Sequence, residues 1–313
     1  MTTPVTVVGV ARPVVAPLGR ARTGSGRRLK PANQILLQLL CLAIGATVLF
    51  PIVWIVGMSL DPRNISRPDA LIPPGANLDA YARVIQRPTL NPVSFIQLAL
   101  NSLTLAVVIS ILSVGLGVLA AYSFSRMKFR GREVTMLVIL AVLMLPPVAT
   151  VGSLYVNLNR ITFGDFRLGG SLLGVALAVT STQLPFAIWN MKGYLDTIPK
   201  ELEEAAVVDG ATKFQTFLRV VLPLSTPVLA VTALFGFIAG WTEFLLAQVF
   251  VVGDPGQWTL AIALNALVGQ YAGSTPWSTF AAFSVLFALP VMIVYLLLQR
   301  WIVSGLTVGG VKG

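Results

Sequence analysis

Six long runs of apolar residues, none of which contains a charged side chain, constrain this chain more than any other feature. They are Ile35–Leu60, Phe95–Ser125, Val134–Asn157, Leu168–Met191, Val220–Thr242, which continues after Glu243, and Phe280–Gln299. A helix needs about 20 consecutive apolar residues to cross a bilayer, and it satisfies its own backbone hydrogen bonds in lipid. We therefore expect an all-α membrane protein with six transmembrane helices.

The composition excludes several classes of protein. Charged residues make up 11% of the chain, whereas a soluble domain carries about 25%. The absence of histidine excludes a Ser-His-Asp triad, an HExxH zinc site and an imidazole pH switch. The single cysteine, Cys41, cannot form a disulfide within the chain. The net charge of +10 is typical of membrane-protein loops, so we expect no nucleic-acid partner.

Lysine and arginine residues lie mostly on one side of the predicted spans. Six spans return the chain to its starting side, which then carries 16 of the 22 Lys and Arg residues. The positive-inside rule places that side, and both termini, in the cytoplasm, with membrane lipid around the spans. We divide the chain into a disordered basic tail 1–34, a transmembrane domain 35–304 and a glycine-rich tail 305–313.

Proline, glycine and amide residues within the spans predict local features of the helices. Prolines are expected to interrupt three spans, at Pro146-Pro147, Pro185 and Pro290. Four glycines are expected to let helices approach closely: Gly115, Gly117, Gly236 and Gly240. Three polar residues are expected to make packing or helix–helix hydrogen bonds: Asn101, Gln183 and Asn190.

The spans lack the residues that energy coupling requires. Secondary transporters place acidic or basic residues at mid-span, and the nearest candidate here, Glu243, is interpreted as a helix-end residue. No GxxxxGK[ST] phosphate-binding loop is present either. We therefore expect a chain that cannot hydrolyse ATP in the usual way. It is either a passive conduit or is driven by a partner.

The loop 192–223 between the fourth and fifth spans carries the clearest local signals. Asp196 precedes a proline and acidic residues follow, which predicts a helix start. Gly210 suits the left-handed residue that ends a helix, and Thr212 with Gln215 forms a capping box for a second helix. The loop has a net charge of −1, which favours a protein partner over anionic lipid.

A spaced motif within this loop resembles the EAA loop of the permease subunits of ATP-binding-cassette importers. The family pattern is EAA, three residues, Gly, nine residues, Ile, one residue and Leu-Pro, and only Val220 departs from it. In that family the loop forms coupling helices that contact the ATPase subunit. The resemblance implies that the following residues make this contact: Glu204, Ala205, Ala206, Gly210, Leu222 and Pro223.

Other stretches are similar to the carbohydrate-importer permeases of the maltose type. They are Asn101-Ser102, Ala120–Arg126, Phe129–Arg132, Met144–Pro147 and Trp241–Phe244. The C-terminal tail 305–313 is similar to that of the smaller permease of this type. The resemblance implies the type I importer permease fold, and a tail in which Gly309, Gly310 and Lys312 contact the ATPase subunits.

The resemblance also implies the partners and the transport cycle. They are a second homologous permease, a dimer of ATPase subunits that bind ATP and Mg, and an extracytoplasmic sugar-binding protein. ATP binding would close the ATPase dimer and move the coupling helices, so that the spans alternate between outward-open and inward-open states. The substrate implied is maltose or maltodextrin.

Some alternatives stay open at the level of sequence. The first extracytoplasmic loop is expected to contain a short helix at Asp79–Gln86. The last such loop contains Trp258 and Trp277, which are either interfacial anchors or contacts for the binding protein. The substrate could instead be trehalose, another oligosaccharide or glycerol phosphate. Less favoured functions are a passive channel, a secondary transporter and a structural membrane scaffold.

Overall fold

The computed structural model describes residues 31–164, 166–268 and 275–309. Its helices, in chain order, are α1 (Pro31–Ser59), α2 (Asp79–Gln86), α3 (Phe95–Arg126), α4 (Arg132–Val142), α5 (Pro147–Asn159), α6 (Leu172–Leu195), α7 (Glu201–Val208), α8 (Lys213–Thr216), α9 (Leu222–Leu224), α10 (Thr226–Trp241), α11 (Leu245–Val251), α12 (Leu260–Ala266) and α13 (Trp277–Gly309). The chain divides into two compact units, Met1–Pro51 and Ile52–Gly313. The described part of the first unit is helical throughout, and every element from α2 onwards belongs to the second unit.

Four of these helices, α1, α3, α6 and α13, are each long and apolar enough to cross a membrane. Two further candidates are bent pairs, because α4 meets α5 at 103° and Lys213–Leu224 meets α10 at 75°. With each bent pair taken as one span, the described residues provide six spans at the predicted positions. The protein is therefore an all-α membrane protein, as predicted.

The prolines within the spans have two different outcomes. Pro146 adopts an extended conformation (φ −62°, ψ 126°) between α4 and α5, because the residue before a proline avoids the helical region. The predicted break at Pro146-Pro147 is thus confirmed. The predicted interruptions at Pro185 and Pro290 are wrong, since α6 and α13 continue through them. A single proline removes only one helical hydrogen bond, which a transmembrane helix tolerates because neighbouring groups satisfy the freed carbonyl.

Close helix packing depends on three of the four predicted glycines. Helix α3 packs against both α6 and α10. A Cβ atom at Gly240 would lie 2.6 Å from the Cα of Ala106, and one at Gly236 would lie 2.9 Å from a Cα of α3. A Cβ atom at Gly117 would lie 3.1 Å from a side chain of α6. The prediction is wrong for Gly115, around which no such neighbour lies within 4 Å.

Short elements cover the end of the second unit where α3 begins. The predicted helix at Asp79–Gln86 is present as α2, which packs on α3 and α13. A 3₁₀ turn at Pro255–Gln257 and helix α12 lie above the start of α3. A two-stranded antiparallel hairpin pairs Thr162–Phe163 with Phe166–Arg167, which the sequence does not predict.

The segment that follows α1 is fixed by paired charges. The guanidinium of Arg63 lies 2.8 Å from Asp61 and 2.7 Å from Asp69. Hydrogen bonds from Arg63 hold the pKa of both carboxyl groups below their ordinary value. The side chain of Asp61 is fully buried, so this pairing compensates a charge that would otherwise be unfavourable away from water.

Candidate functional site

Two short helices joined by a glycine form the segment at the C-terminal ends of α3 and α6. Helix α7 is followed by Gly210, then by α8, a π-helical turn at Phe217–Val221 and α9. The helix–glycine–helix arrangement predicted for the loop 192–223 is confirmed. The predicted start near Pro199 is confirmed to within two residues, since α7 begins at Glu201 with three acidic residues in its first turn, while Asp196 itself ends α6.

Local hydrogen bonds determine the elbow between α7 and α8. Gly210 has a φ of +88°, which side chains other than glycine rarely adopt. The N–H of Gly210 donates to Val207 at 3.0 Å and the N–H of Ala211 donates to Ala206 at 3.0 Å. This pair is the Schellman arrangement that ends helices at glycine. The predicted capping box then opens α8, with Thr212 and Gln215 each accepting the other's backbone N–H.

The spaced motif is presented outward at this elbow. Glu204 and Ala205 are exposed, and Ala206 is half-buried. At the far end of the motif, Leu222 is half-buried and Pro223 is exposed. Around the motif several large apolar side chains are also exposed, among them Val207, Val208, Phe214 and Leu218. An exposed apolar patch rimmed by charges is typical of a protein-binding surface.

A nearly buried ion pair joins this segment to α3. The Nε of Arg126 lies 2.5 Å from Glu203, and the two side chains are 9% and 13% exposed. Arg126 also donates to the carbonyl of Ile198 at 3.0 Å, and the hydroxyl of Tyr122 donates to Glu203 at 3.2 Å. Glu203 therefore points inward and holds α7 in place, while its neighbour Glu204 points outward.

A second polar contact joins α3 to the end of α6. The hydroxyl of Ser125 donates to Asp196 at 2.6 Å, and Lys192 donates to the same carboxylate at 2.6 Å. Burial raises the pKa of Asp196, but these two hydrogen bonds outweigh it, and the pKa lies below its ordinary value. The carboxylate of Asp196 thus stays charged between the two helices.

Apolar packing continues the attachment of α8 to the spans. Phe217 and Val221 are buried in a cluster with residues of α3, α6 and α10. The ring of Tyr122 lies 4.8 Å from that of Phe217. A displacement of α7 and α8 would therefore be transmitted to the spans through both charged and apolar contacts.

A cleft of about 460 Å³ lies between the end of α3 and the two short helices. Glu203, Arg126 and Thr216 line it, and Glu204 lies at the same cleft. The hydroxyl of Thr216 is buried and has no hydrogen-bond partner within the described residues. The cleft therefore presents charged side chains to an incoming group, whereas the Thr216 hydroxyl is buried beneath its surface.

Asn101 and Ser102 hold a loop at the other end of α3. The amide of Asn101 donates to the carbonyls of Gly256 and Trp258 at 2.8 and 2.9 Å, and Ser102 accepts from the N–H of Leu260 at 2.8 Å. Asn101 lies 25 positions before Arg126, or about 38 Å along a helix at about 1.5 Å per residue. One continuous helix thus connects the two ends.

The remaining predicted site residues are spread over several places. Trp258 and Trp277 are both half-buried at the α2 end of the second unit, and the indole of Trp258 donates to the carbonyl of Val252 at 3.0 Å. Gly309 is the last residue of α13, whereas Gly310 and Lys312 lie outside the described residues. Trp258 is held at the Asn101 end of α3, whereas α7 lies at the Arg126 end.

The other polar span residues have structural positions. Glu243 lies between α10 and α11, where it accepts the N–H of Leu246 at 2.7 Å, as a helix-end residue does. Asn190 donates to Thr232 at 3.4 Å across two helices. Gln183 lines a cavity of about 450 Å³ beside the α4–α5 bend. No group of three metal-ligating side chains occurs among the residues that the structure describes.

Sequence reasoning missed Arg126 and Glu203. They are 77 positions apart, so no local pattern relates them. The available signal was the pair Glu203-Glu204, because adjacent residues on a helix point about 100° apart and both cannot face a partner. Arg126 lies at the end of an apolar span, where the sequence identifies it only as a cytoplasmic charge and as part of a family-like stretch.

Comparisons with known proteins agree with this geometry. A family model described as a binding-protein-dependent transport system inner membrane component matches residues 113–308, which include α7 and α8. The chain is 32% identical over 283 residues to a trehalose/maltose transport system permease protein of Thermococcus litoralis, covering 90% of this chain and 98% of that protein. It is 35% identical over 292 residues to a maltose/maltodextrin transport system permease protein of Escherichia coli, covering 90% and 97%.

A solved structure shares the fold. It is a chain of a bacterial ABC transporter involved in the import of the acidic polysaccharide alginate, with a TM-score of 0.70 and 24% sequence identity. The alignment covers 87% of this chain and 98% of that one. The predicted fold of an importer permease is thereby confirmed.

Proposed function

This chain belongs to the family of binding-protein-dependent transport system inner membrane components, and from that premise we propose that it carries maltose or maltodextrin into a bacterial cell. It is a multi-pass inner-membrane permease of an ABC sugar importer and not an enzyme. ATP hydrolysis takes place on partner ATPase subunits. Membership of this family sets aside the passive channel, the secondary transporter and the scaffold.

The elbow at Gly210 is the basis of our proposal for how movement of the ATPase subunits reaches the spans. Glu204 and Ala205 lie exposed on α7, while the adjacent Glu203 is held by Arg126. This arrangement leaves one helix face free for a partner and attaches the other to the spans. The ATPase dimer binds ATP and Mg, its movement displaces α7 and α8, and α3 and α6 follow through the contacts described above. The chain itself binds no cofactor.

The remaining partners follow from the same premise. A second homologous permease completes the translocation path, and an extracytoplasmic binding protein delivers the sugar. The positive-inside count places both termini, and with them α7, in the cytoplasm. Trp258 and Trp277 then face the binding protein, and Gly309, Gly310 and Lys312 contact the ATPase subunits.

Relatives support the choice of substrate. One is named for trehalose and maltose and another for maltose and maltodextrin, at 32% and 35% identity. No charged side chain occurs among the described residues that line the cavity near Gln183, and a charged sugar inside the membrane would need one. A neutral sugar is therefore favoured, with trehalose as the second candidate.

Uptake measurements test the proposal. Cells that lack this chain but contain the other subunits should lose ATP-dependent uptake of labelled maltose, and the intact chain should restore it. Glu204→Lys should not restore it, whereas the matched control Glu201→Lys, which reverses an exposed charge on the same helix outside the motif, should. Uptake of labelled trehalose alone would reassign the substrate, and full activity of Glu204→Lys would contradict the coupling role.

A further inference from the structure

A cavity of about 790 Å³ opens at the end of the second unit that carries α2 and the start of α13. Two arginines, Arg83 and Arg87, line it together with Trp258. Its other described lining residues are neutral, so it contains two positive charges and no negative one. The amide of Asn101 fixes the backbone of Trp258 beneath it.

Neither arginine has an acidic partner within the part of the chain that the structure describes. Arg83 donates to the hydroxyl of Thr279 at 3.3 Å, and Arg87 donates to the carbonyl of Leu90 at 2.6 Å. These neutral acceptors orient the guanidiniums without compensating their charge. Arg63, by contrast, lies between two carboxylates.

The two guanidiniums line one cavity and carry like charges that no acidic residue in the described part of the chain compensates. Arg83 lies in the last turn of α2, whereas Arg87 follows the helix with a non-helical backbone (φ −154°, ψ 89°). Two oriented positive charges that face a common cavity indicate an anionic group that occupies it when the protein works.

The geometry of the guanidinium suggests a carboxylate. Its planar fork matches the two oxygens of a carboxylate in a bidentate contact. Both arginines are exposed, and exposed ion pairs contribute little because water screens them. A partner that covers the cavity excludes that water and strengthens the contact, which a free carboxylate cannot do.

We propose that this cavity, defined by Arg83, Arg87 and Trp258, receives an acidic side chain of the extracytoplasmic binding protein. The inference rests on the proposed function, which supplies that partner and places this end of the protein outside the cell. Trp258 forms the apolar wall of the cavity, and the two arginines hold the carboxylate. Docking would then depend on salt, because screening weakens the attraction between the exposed arginines and an approaching carboxylate before water is excluded.

The test uses the complete importer in proteoliposomes, titrated with its own binding protein while ATP hydrolysis is measured. In Arg83→Gln/Arg87→Gln, half-maximal stimulation should need about tenfold more binding protein, as for loss of charge complementarity at an interface. The maximal rate should not change. Arg67→Gln is the matched control, since Arg67 is exposed in the preceding loop and does not line the cavity.

Salt and a charge-preserving variant sharpen the test. In about 0.5 M NaCl, where the screening length falls to about 4 Å, wild type and double variant should converge. Arg83→Lys/Arg87→Lys keeps the charge but not the planar fork, so it should give an intermediate result.

Three results would overturn the inference. The first is a double variant that matches wild type at low salt. The second is an equal loss in Arg67→Gln, which would indicate a general charge effect. The third is competition by free galacturonate that requires both arginines, because the cavity would then take a sugar acid instead. A wild-type importer that no binding protein stimulates would contradict the proposed function itself.

Discussion

Removal of the Arg126 charge should detach α7 from α3 without preventing insertion of the spans. Arg126→Met keeps most of the aliphatic stem but leaves Glu203, which is 13% exposed, with only the hydroxyl of Tyr122 as a charge-stabilising partner. Breaking one side of a fully buried ion pair destabilises a protein by about 3–5 kcal/mol. Because Glu203 can turn partly into water, we expect about 2 kcal/mol here, or about a thirtyfold shift in the docking of α7.

Two assays on the reconstituted importer follow this shift. The amount of sugar transported per ATP hydrolysed should fall, because an undocked α7 moves without the spans. Amide hydrogen exchange should increase over Glu201–Val208 and stay unchanged in α6. The charge-exchanged variant Arg126→Glu/Glu203→Arg should recover part of the coupling, since opposite charges again face each other.

The ion pair between Lys192 and Asp196 provides the matched control. Its side chains are 22% and 40% exposed and lie four positions apart on one helix, so Lys192→Met should cost no more than about 0.5 kcal/mol. The reasoning fails if Arg126→Met transports as efficiently as Lys192→Met, or if α7 exchanges at the wild-type rate.

Three further predictions concern stability, measured as thermal unfolding in detergent. Gly210→Ala should destabilise the protein by about 1–2 kcal/mol, since its φ of +88° is unfavourable for a side chain; Gly193→Ala, a helical position with open space, should not. Gly240→Val should separate α10 from α3 and lower the melting temperature clearly more than Gly115→Val, and equal effects would contradict the packing described. Asp61 has a lowered pKa because of its hydrogen bonds to Arg63, so its stabilising contribution is present above its unfolded pKa of about 4 and is lost as the pH falls through the folded value. Asp61→Asn should therefore unfold at a lower temperature than wild type at pH 6 and approach it at pH 3, whereas a constant difference would refute the pairing.

Elements that depend on neighbouring residues could be predicted from the sequence. Gly210, Thr212 and Gln215 act within one or two turns of the chain, and the elbow they form is present with the expected hydrogen bonds. The short helix α2 and the break at Pro146-Pro147 also follow from local signals. In each case the backbone preference of one or two residues decides the conformation.

Elements that depend on distant residues could not be predicted. Asp196 belongs to a helix-start signal by sequence, but it ends α6, and its carboxylate accepts from Ser125, which lies 71 positions earlier in α3. Gly115 and Gly117 are equivalent in sequence, yet only Gly117 faces α6. Which face of a helix meets a neighbour depends on the rotation of the whole helix, and that rotation is set by packing across the bundle.

Helix α3 is held at both ends, by Asn101 against the loop of Trp258 and by Arg126 against α7. A partner that binds preferentially to one orientation of this helix shifts its population, whichever end the partner contacts. Thermodynamic reciprocity then requires that each partner change the affinity of the other by the same factor. Under the proposed function, the affinity of the chain for the binding protein and its affinity for the ATPase subunits would thus be linked by one free energy of coupling.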